Sequence, residues 1–288
     1  MIQLDNISFR YGRTFYALRD INTTIAPGIH LLLGENGAGK TTLLQLMAGL
    51  LFPAMGTCRI DGADVTLREP TTMQNVFFLP EDYLFPAKTI NDFMRMHSHF
   101  YPTFSAEDLG RNLADFGMTG DEPLTGLSLG MRKRANLAYV LALHCPVTLL
   151  DEPANGLDIN AKKCLRQLIM RNCGDDQTII VSTHTVWDLE QLFDGVIVLS
   201  RGGLVLAKPV YEIAERISFV TSSSHYPGAW YEEVSMAGYR SIAPRRDDDP
   251  ETCVDFNLLY SALMSHNAQL IINMLNNPSY IESNDTEC

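Results

Sequence analysis

The chain has 288 residues, 46% of them hydrophobic and 19% charged, and its 22 Lys and Arg against 34 Asp and Glu give a formal net charge of −12. That length and apolar content can bury a full core, which excludes the disordered and collagen-like classes. The acidic balance has the wrong sign for a phosphate-backbone binder, so no nucleic-acid partner is expected. The surplus acid is uneven: residues 209–288 hold 4 bases and 12 acids, while residues 1–208 hold 18 and 22. The shift follows the apolar run Val196–Leu199 and the turn Arg201-Gly202-Gly203. It predicts a first domain over residues 1–210 and a small accessory domain over 211–288.

Six cysteines, at 58, 145, 164, 173, 253 and 288, show no CxxC pair and no paired spacing, so they read as free thiols in a reducing compartment. Met1-Ile2-Gln3-Leu4-Asp5 lacks the basic and apolar regions of a secretory signal. The longest apolar run, Ala138–Leu150, is too short for a bilayer and is interrupted by His144 and Pro146.

Alternation in Ile2, Leu4 and Ile7, the turn Tyr11-Gly12-Arg13 and then Ala17–Ile25 predict an antiparallel strand pair at the start. His30-Leu31-Leu32-Leu33 is a continuous apolar run of the kind that fills a central strand, and Leu43, Leu44, Leu46, Met47 and Leu50 after it recur at helical spacing. Val76–Leu79, Val147–Leu150, Thr178–Val181 and Val196–Leu199 are four more buried-strand candidates separated by helical patterns. The order predicts an α/β core with a mostly parallel sheet, interrupted by a helical insertion over about Ile90–Leu143. In the last 80 residues, Ile217–Val220 and Cys253–Phe256 read as short strands. Phe256, Leu259, Tyr260, Leu263, Met264, Ile271, Met274 and Leu275 read as one face of a single helix, and Ser222-Ser223-Ser224 and Arg245–Pro250 as loops.

Between the strand ending at Leu33 and the helix that follows, Gly34-Glu35-Asn36-Gly37-Ala38-Gly39-Lys40-Thr41 fits GxxxxGK[ST] in full and leads into Thr42. Glycines let backbone amides turn onto phosphates, Lys40 brings a positive charge to the β and γ phosphates, and the Thr41 hydroxyl can ligate Mg²⁺. Strand context on one side and helix context on the other separate this run from an ordinary Gly-rich turn.

Val147-Thr148-Leu149-Leu150-Asp151-Glu152 places two adjacent acids at the end of a buried strand. Alone, an acidic strand end is commonly a solvated turn; with a phosphate loop upstream it becomes a site for Mg²⁺ at Asp151 and for polarising a water at Glu152. Leu127-Ser128-Leu129-Gly130-Met131 starts a helical pattern ahead of that strand, Asn155-Gly156-Leu157-Asp158 follows it, and His184 follows the next strand.

In this order the motifs resemble those of the ATP-binding subunit of an ABC (ATP-binding cassette) transporter, and the resemblance spans about residues 1–210. It implies a P-loop NTPase fold with a RecA-like parallel-sheet core, an N-terminal antiparallel β-subdomain and a helical subdomain at about 86–143. It implies ATP and Mg²⁺ as cofactors, with Lys40, Glu152 and His184 catalytic. Gly34 through Thr42 would hold the nucleotide, Tyr11 would stack on adenine, and Thr41, Asp151 and Glu81 would take the metal. Ser128 and the Gly130 amide would bind the γ-phosphate of ATP held by a second copy, making a head-to-tail homodimer.

The resemblance also implies a separate transmembrane permease subunit, with this chain at the cytoplasmic face of the membrane. Most aromatics of the segment Tyr83–Tyr101 would pack inside the helical subdomain, and some near Tyr83–Phe85 would touch that partner.

Three positions, in two motifs, depart from the family pattern. Glu81 stands where a Gln is usual, adding negative charge beside the triphosphate, and Leu129 and Met131 stand where LSGGQ has Gly and Gln. Ser-x-Gly-Met followed by Arg132-Lys133-Arg134 is similar to ABC-2-type export subunits. The rival expectation is a soluble ABC-type ATPase switch acting in translation or DNA maintenance. Such chains carry two cassettes, a long coiled-coil insertion or basic arms, whereas this one has a single phosphate loop, no sustained heptads and net negative charge.

Overall fold

The computed structural model describes residues 1–12, 14–184, 186, 192–236, 238–246, 249 and 252–276. Among these, the strands are β1 (Ile2–Tyr11), β2 (Phe15–Ile25), β3 (Gly28–Leu33), β4 (Met55–Ile60), β5 (Ala63–Asp64), β6 (Val76–Leu79), β7 (Val147–Asp151), β8 (Thr178–Thr183), β9 (Gly195–Ser200), β10 (Gly203–Pro209), β11 (Ile217–Ser222), β12 (Tyr231–Ser235) and β13 (Gly238–Pro244). The helices are α1 (Lys40–Met47), α2 (Pro70–Met73), α3 (Ile90–His97), α4 (Ala106–Asp115), α5 (Leu129–Leu141), α6 (Ile159–Asn172), α7 (Val210–Arg216), α8 (Phe256–Leu263) and α9 (Ala268–Asn276).

The central sheet runs β10-β9-β3-β8-β7-β6, with β9, β3, β8, β7 and β6 mutually parallel and β10 antiparallel at the edge. Its parallel strands are mostly apolar and buried because both faces are covered, while the edge strand β10 carries Lys208 and is largely half-buried. Successive side chains point to opposite faces, and two cores result. Leu32, Leu149, Ile180 and Ile197 face α1 and the sheet β2-β1-β4-β5. Their neighbours Leu31, Leu33, Leu150, Val181 and Val198 face a larger core filled from the helical insertion, with Phe85, Phe93, Leu113 and Tyr139 among its members. The expected α/β core, N-terminal antiparallel sheet and helical insertion are all present.

The C-terminal residues close onto the larger core. Strands β11-β13-β12 form a third, antiparallel sheet, and Ile217, Ile242, Phe256, Leu259 and Ile271 belong to the same buried cluster as the strands of the central sheet.

Three expectations in this segment are corrected. Cys253–Asp255 is irregular rather than a strand, because the Asp255 carboxylate accepts from the Leu258 amide at 2.9 Å and caps α8. The apolar face from Phe256 to Leu275 belongs to two helices. The polar run Ser265-His266-Asn267 interrupts it, with Ser265 Oγ donating to the Ala262 carbonyl and Asn267 Nδ2 to the Trp230 carbonyl. Ser222 is the last residue of β11 rather than loop; of the loop expected at Arg245–Pro250, residues 247, 248 and 250 lie outside the described residues.

Among the described residues no helix is long and apolar enough to cross a membrane. Burial pushes the Cys58 thiol up to about 12, and raises Cys145 further. The five described cysteines are free.

Candidate functional site

The phosphate loop leaves the C-terminal end of β3 and enters α1, in the middle of the parallel sheet where an open α/β sheet forms its crevice. Gly39 caps α1 at φ 104° and Gly37 lies at φ 84°, a left-handed backbone that side chains adopt only with strain. Gly34 is required for space: a Cβ there would stand 2.6 Å from the Leu199 carbonyl oxygen of β9.

The loop opens on a cleft of about 300 Å³ lined by Tyr11, Phe15, Ala17, Glu35, Asn36, Gly37, Gly39, Lys40, Thr41, Thr42, Glu81, Asp151 and Glu152. Nearly all the expected residues of the phosphate loop and carboxylate pair are therefore brought together. Gly34 and Ala38 shape the loop from behind, Ala38 being buried.

Lys40 is 7% exposed, and its Nζ donates to the Gly34 carbonyl at 2.7 Å and lies 3.6 Å from Glu152 Oε1. Thr41 Oγ1 donates to Asp151 Oδ2 at 2.7 Å, and the other Asp151 oxygen accepts from Ser182 Oγ. Glu152, 8% exposed, follows β7 at φ 46°, a conformation unfavourable for a side chain bearing a Cβ. Its amide is held by Ser182, through both the carbonyl and the hydroxyl at 3.1 Å, and its carboxylate meets His184 Nδ1 at 3.0 Å.

Tyr11 is half exposed, packs edge-on against Phe9 at 4.9 Å, and its hydroxyl pairs with Thr42 Oγ1 at 3.3 Å. Glu81 lines the same cleft, but its Oε1 accepts from Asn155 Nδ2 and lies 3.9 Å from Lys133 Nζ. Lys133 in turn donates to the Asn155 carbonyl at 2.7 Å.

Ser128 and Gly130 are not part of that lining. Ser128 caps α5, its Oγ accepting from the Met131 amide at 3.3 Å, and Leu129 beside it is 51% exposed.

Magnesium prefers hard oxygen ligands and keeps several waters and phosphate oxygens, so it needs few protein groups. Among the described residues there is no cluster of three or more His, Cys, Asp or Glu that could cage a metal. The Thr41 hydroxyl and the Asp151 carboxylate, 2.7 Å apart, are hard oxygen donors of the kind that could hold a nucleotide-borne Mg²⁺.

Three contributors escape sequence reading. Ser182 is set beside Asp151 by the parallel register of β7 and β8, Phe15 reaches the cleft from the start of β2, and Tyr260 accepts from the Glu35 amide at 3.1 Å from 225 residues away.

The family described as ABC transporter matches residues 18–155. The ABC transporter ATP-binding protein NatA of Bacillus subtilis is 32% identical over 220 residues, 71% of this chain and 88% of the relative. The thiamine import ATP-binding protein ThiQ of a Jannaschia species is 34% identical over 220 residues, 74% of this chain and 94% of the relative. A solved structure titled as the ATP-binding subunit of an ABC transporter superposes with a TM-score of 0.66 at 23% identity, covering 74% of this chain and 91% of that one. On these matches the chain belongs to the ABC transporter family as an ATP-binding subunit, an ATPase that uses ATP with Mg²⁺.

Proposed function

We propose that the chain couples ATP hydrolysis to substrate movement through a separate membrane-spanning subunit, and that the movement is export. The observation that carries the hydrolytic half is the meeting at one cleft of Lys40, the Thr41–Asp151 pair and Glu152, whose carboxylate is bonded from outside the lining by His184. Lys40 and the loop amides hold the β and γ phosphates. Thr41 and Asp151 would hold the magnesium ion, which when bound would supply charge neutralisation for the phosphate oxygens. Glu152 orients a water and accepts its proton as the water oxygen bonds to the γ-phosphorus and the bond to ADP breaks. His184 fixes the Glu152 carboxylate and meets the γ-phosphate. Tyr11 and Phe15 flank adenine.

The exposed position of Ser128, outside the cleft, supports a head-to-tail pair in which Ser128 and Gly130 of a second copy complete each site. The N-terminus of α5 favours an anion there. Closure on ATP and reopening after hydrolysis drive the membrane subunit between two states, because ATP is worth more in the closed pair. Export is supported by Ser-x-Gly-Met with its basic follow-on Arg132-Lys133-Arg134. The working place is then the cytoplasmic face of the membrane, with residues 211–288 an accessory domain on the ATPase.

The test is a detergent-solubilised pull-down of the tagged chain from its native cell. A stoichiometric polytopic membrane protein supports the reading, and the direction follows from transport by the reconstituted pair. Recovery with ribosomal or DNA-bound proteins alone would assign the ATPase to a soluble switch.

A further inference from the structure

The first peptide of the phosphate loop is gripped on both sides. Its Gly34 carbonyl accepts from Lys40 Nζ at 2.7 Å, and its Glu35 N–H donates to the Tyr260 hydroxyl at 3.1 Å. A peptide unit is planar, so the direction of the N–H fixes that of the carbonyl. Whatever holds the Glu35 amide therefore aims the Gly34 oxygen at Lys40.

Tyr260 is presented by a helix that is itself fixed. On α8, Phe256, Leu258, Leu259 and Leu263 are buried, and Phe256 packs edge-on against Phe193 at 5.9 Å. Burial raises the Tyr260 phenol above its ordinary range, so a neutral hydroxyl faces the loop.

We infer that Tyr260 is a positioning residue for nucleotide binding, acting through the Gly34–Glu35 peptide to set the ammonium of Lys40. This rests on the proposed contact of Lys40 with the phosphates. It makes the C-terminal segment part of the ATP site, so that a displacement of α8 changes nucleotide affinity.

The test is equilibrium displacement of trinitrophenyl-ATP by MgATP on the full chain. Tyr260→Phe keeps the ring and removes one hydrogen bond, and weakens MgATP about three- to tenfold with an unchanged melting temperature. Asn267→Ala cuts the bond to the Trp230 carbonyl within the C-terminal segment, away from the loop, and leaves affinity as in the wild type. Unchanged affinity in Tyr260→Phe, or an equal loss in Asn267→Ala, overturns the inference.

Glu35→Pro removes the same bond from the other side, so Tyr260→Phe added to it has no further effect; a further loss also overturns the inference. Lys40→Ala separates the two levels. If it binds MgATP like the wild type, the phosphate reading fails too; if it loses affinity while Tyr260→Phe does not, only the role of Tyr260 fails.

Discussion

The phosphate-loop face and the Ser128 face, at the start of α5, differ in how far each is finished within one chain. On the first, Lys40 is satisfied by the Gly34 carbonyl, Thr41 by Asp151, and Glu152 by His184 and Ser182, with Lys40 and Glu152 both buried. On the second, the Ser128 hydroxyl serves its own helix and Leu129 and Met131 stand exposed, at 51% and 38%. Preorganised charge in a water-poor cleft is what phosphoryl transfer needs. An exposed helix start can offer donors beyond its own chain. The contrast teaches that the catalytic groups and the proposed assembly surface lie on separate faces of one chain, so a substitution on either can leave the local geometry of the other intact.

The largest effect belongs to the first face. Glu152→Gln keeps the size of the side chain and removes its capacity to take a proton, so turnover falls by about 10²–10⁴ while MgATP binding persists and the closed dimer accumulates. Steady-state phosphate release beside gel filtration with ATP measures both. Only monomer in the presence of ATP would sink the shared site, and residual turnover near the wild-type rate would move the base elsewhere.

The second face is tested by Ser128→Asp. Asp is as good an N-cap as Ser, so α5 keeps its cap and the melting temperature stays put. The added carboxylate, however, would oppose the γ-phosphate of the ATP on the second copy. The ATP-dependent dimer is lost and turnover drops at least about tenfold, a cost of roughly 1.4 kcal/mol, while monomer affinity for MgATP is unchanged. Wild-type turnover would show that this face completes nothing.

Legibility divides along a similar line. The phosphate loop and the Asp151-Glu152 pair are contiguous in sequence, and the five parallel strands each hold a mostly apolar run because both sheet faces are covered, so these could be read directly, whereas the half-buried edge strand β10 could not. β4, β12 and β13 mix polar and apolar residues in sheets with partly exposed strands and gave no such run. Val254 and Phe256 mimic strand alternation, yet Asp255 between them is a helix cap, which only the chain's direction at that point decides. Ser182 and Tyr260 enter the site through strand register and a contact across 225 residues, and the left-handed backbone of Glu152 follows from its hold on Ser182. None of these has a local signature.

The smallest effect is expected where the two faces meet, at Glu81. Its carboxylate lines the phosphate cleft and reaches Asn155 and Lys133, joining β6 to the loop after β7 and to α5. The side chain is 41% exposed and the Lys133 ammonium is 3.9 Å away, so the ion pair is screened and adds little. Lys133 also keeps its bond to the Asn155 carbonyl whatever stands at 81. In Glu81→Gln the amide oxygen still accepts from Asn155, and negative charge is removed from beside the triphosphate. Turnover is therefore expected to stay within about threefold of the wild type, with an unchanged melting temperature. Complete loss of activity, restored by Glu81→Asp, would instead make this carboxylate a ligand of the ion and extend the phosphate-loop face across the cleft.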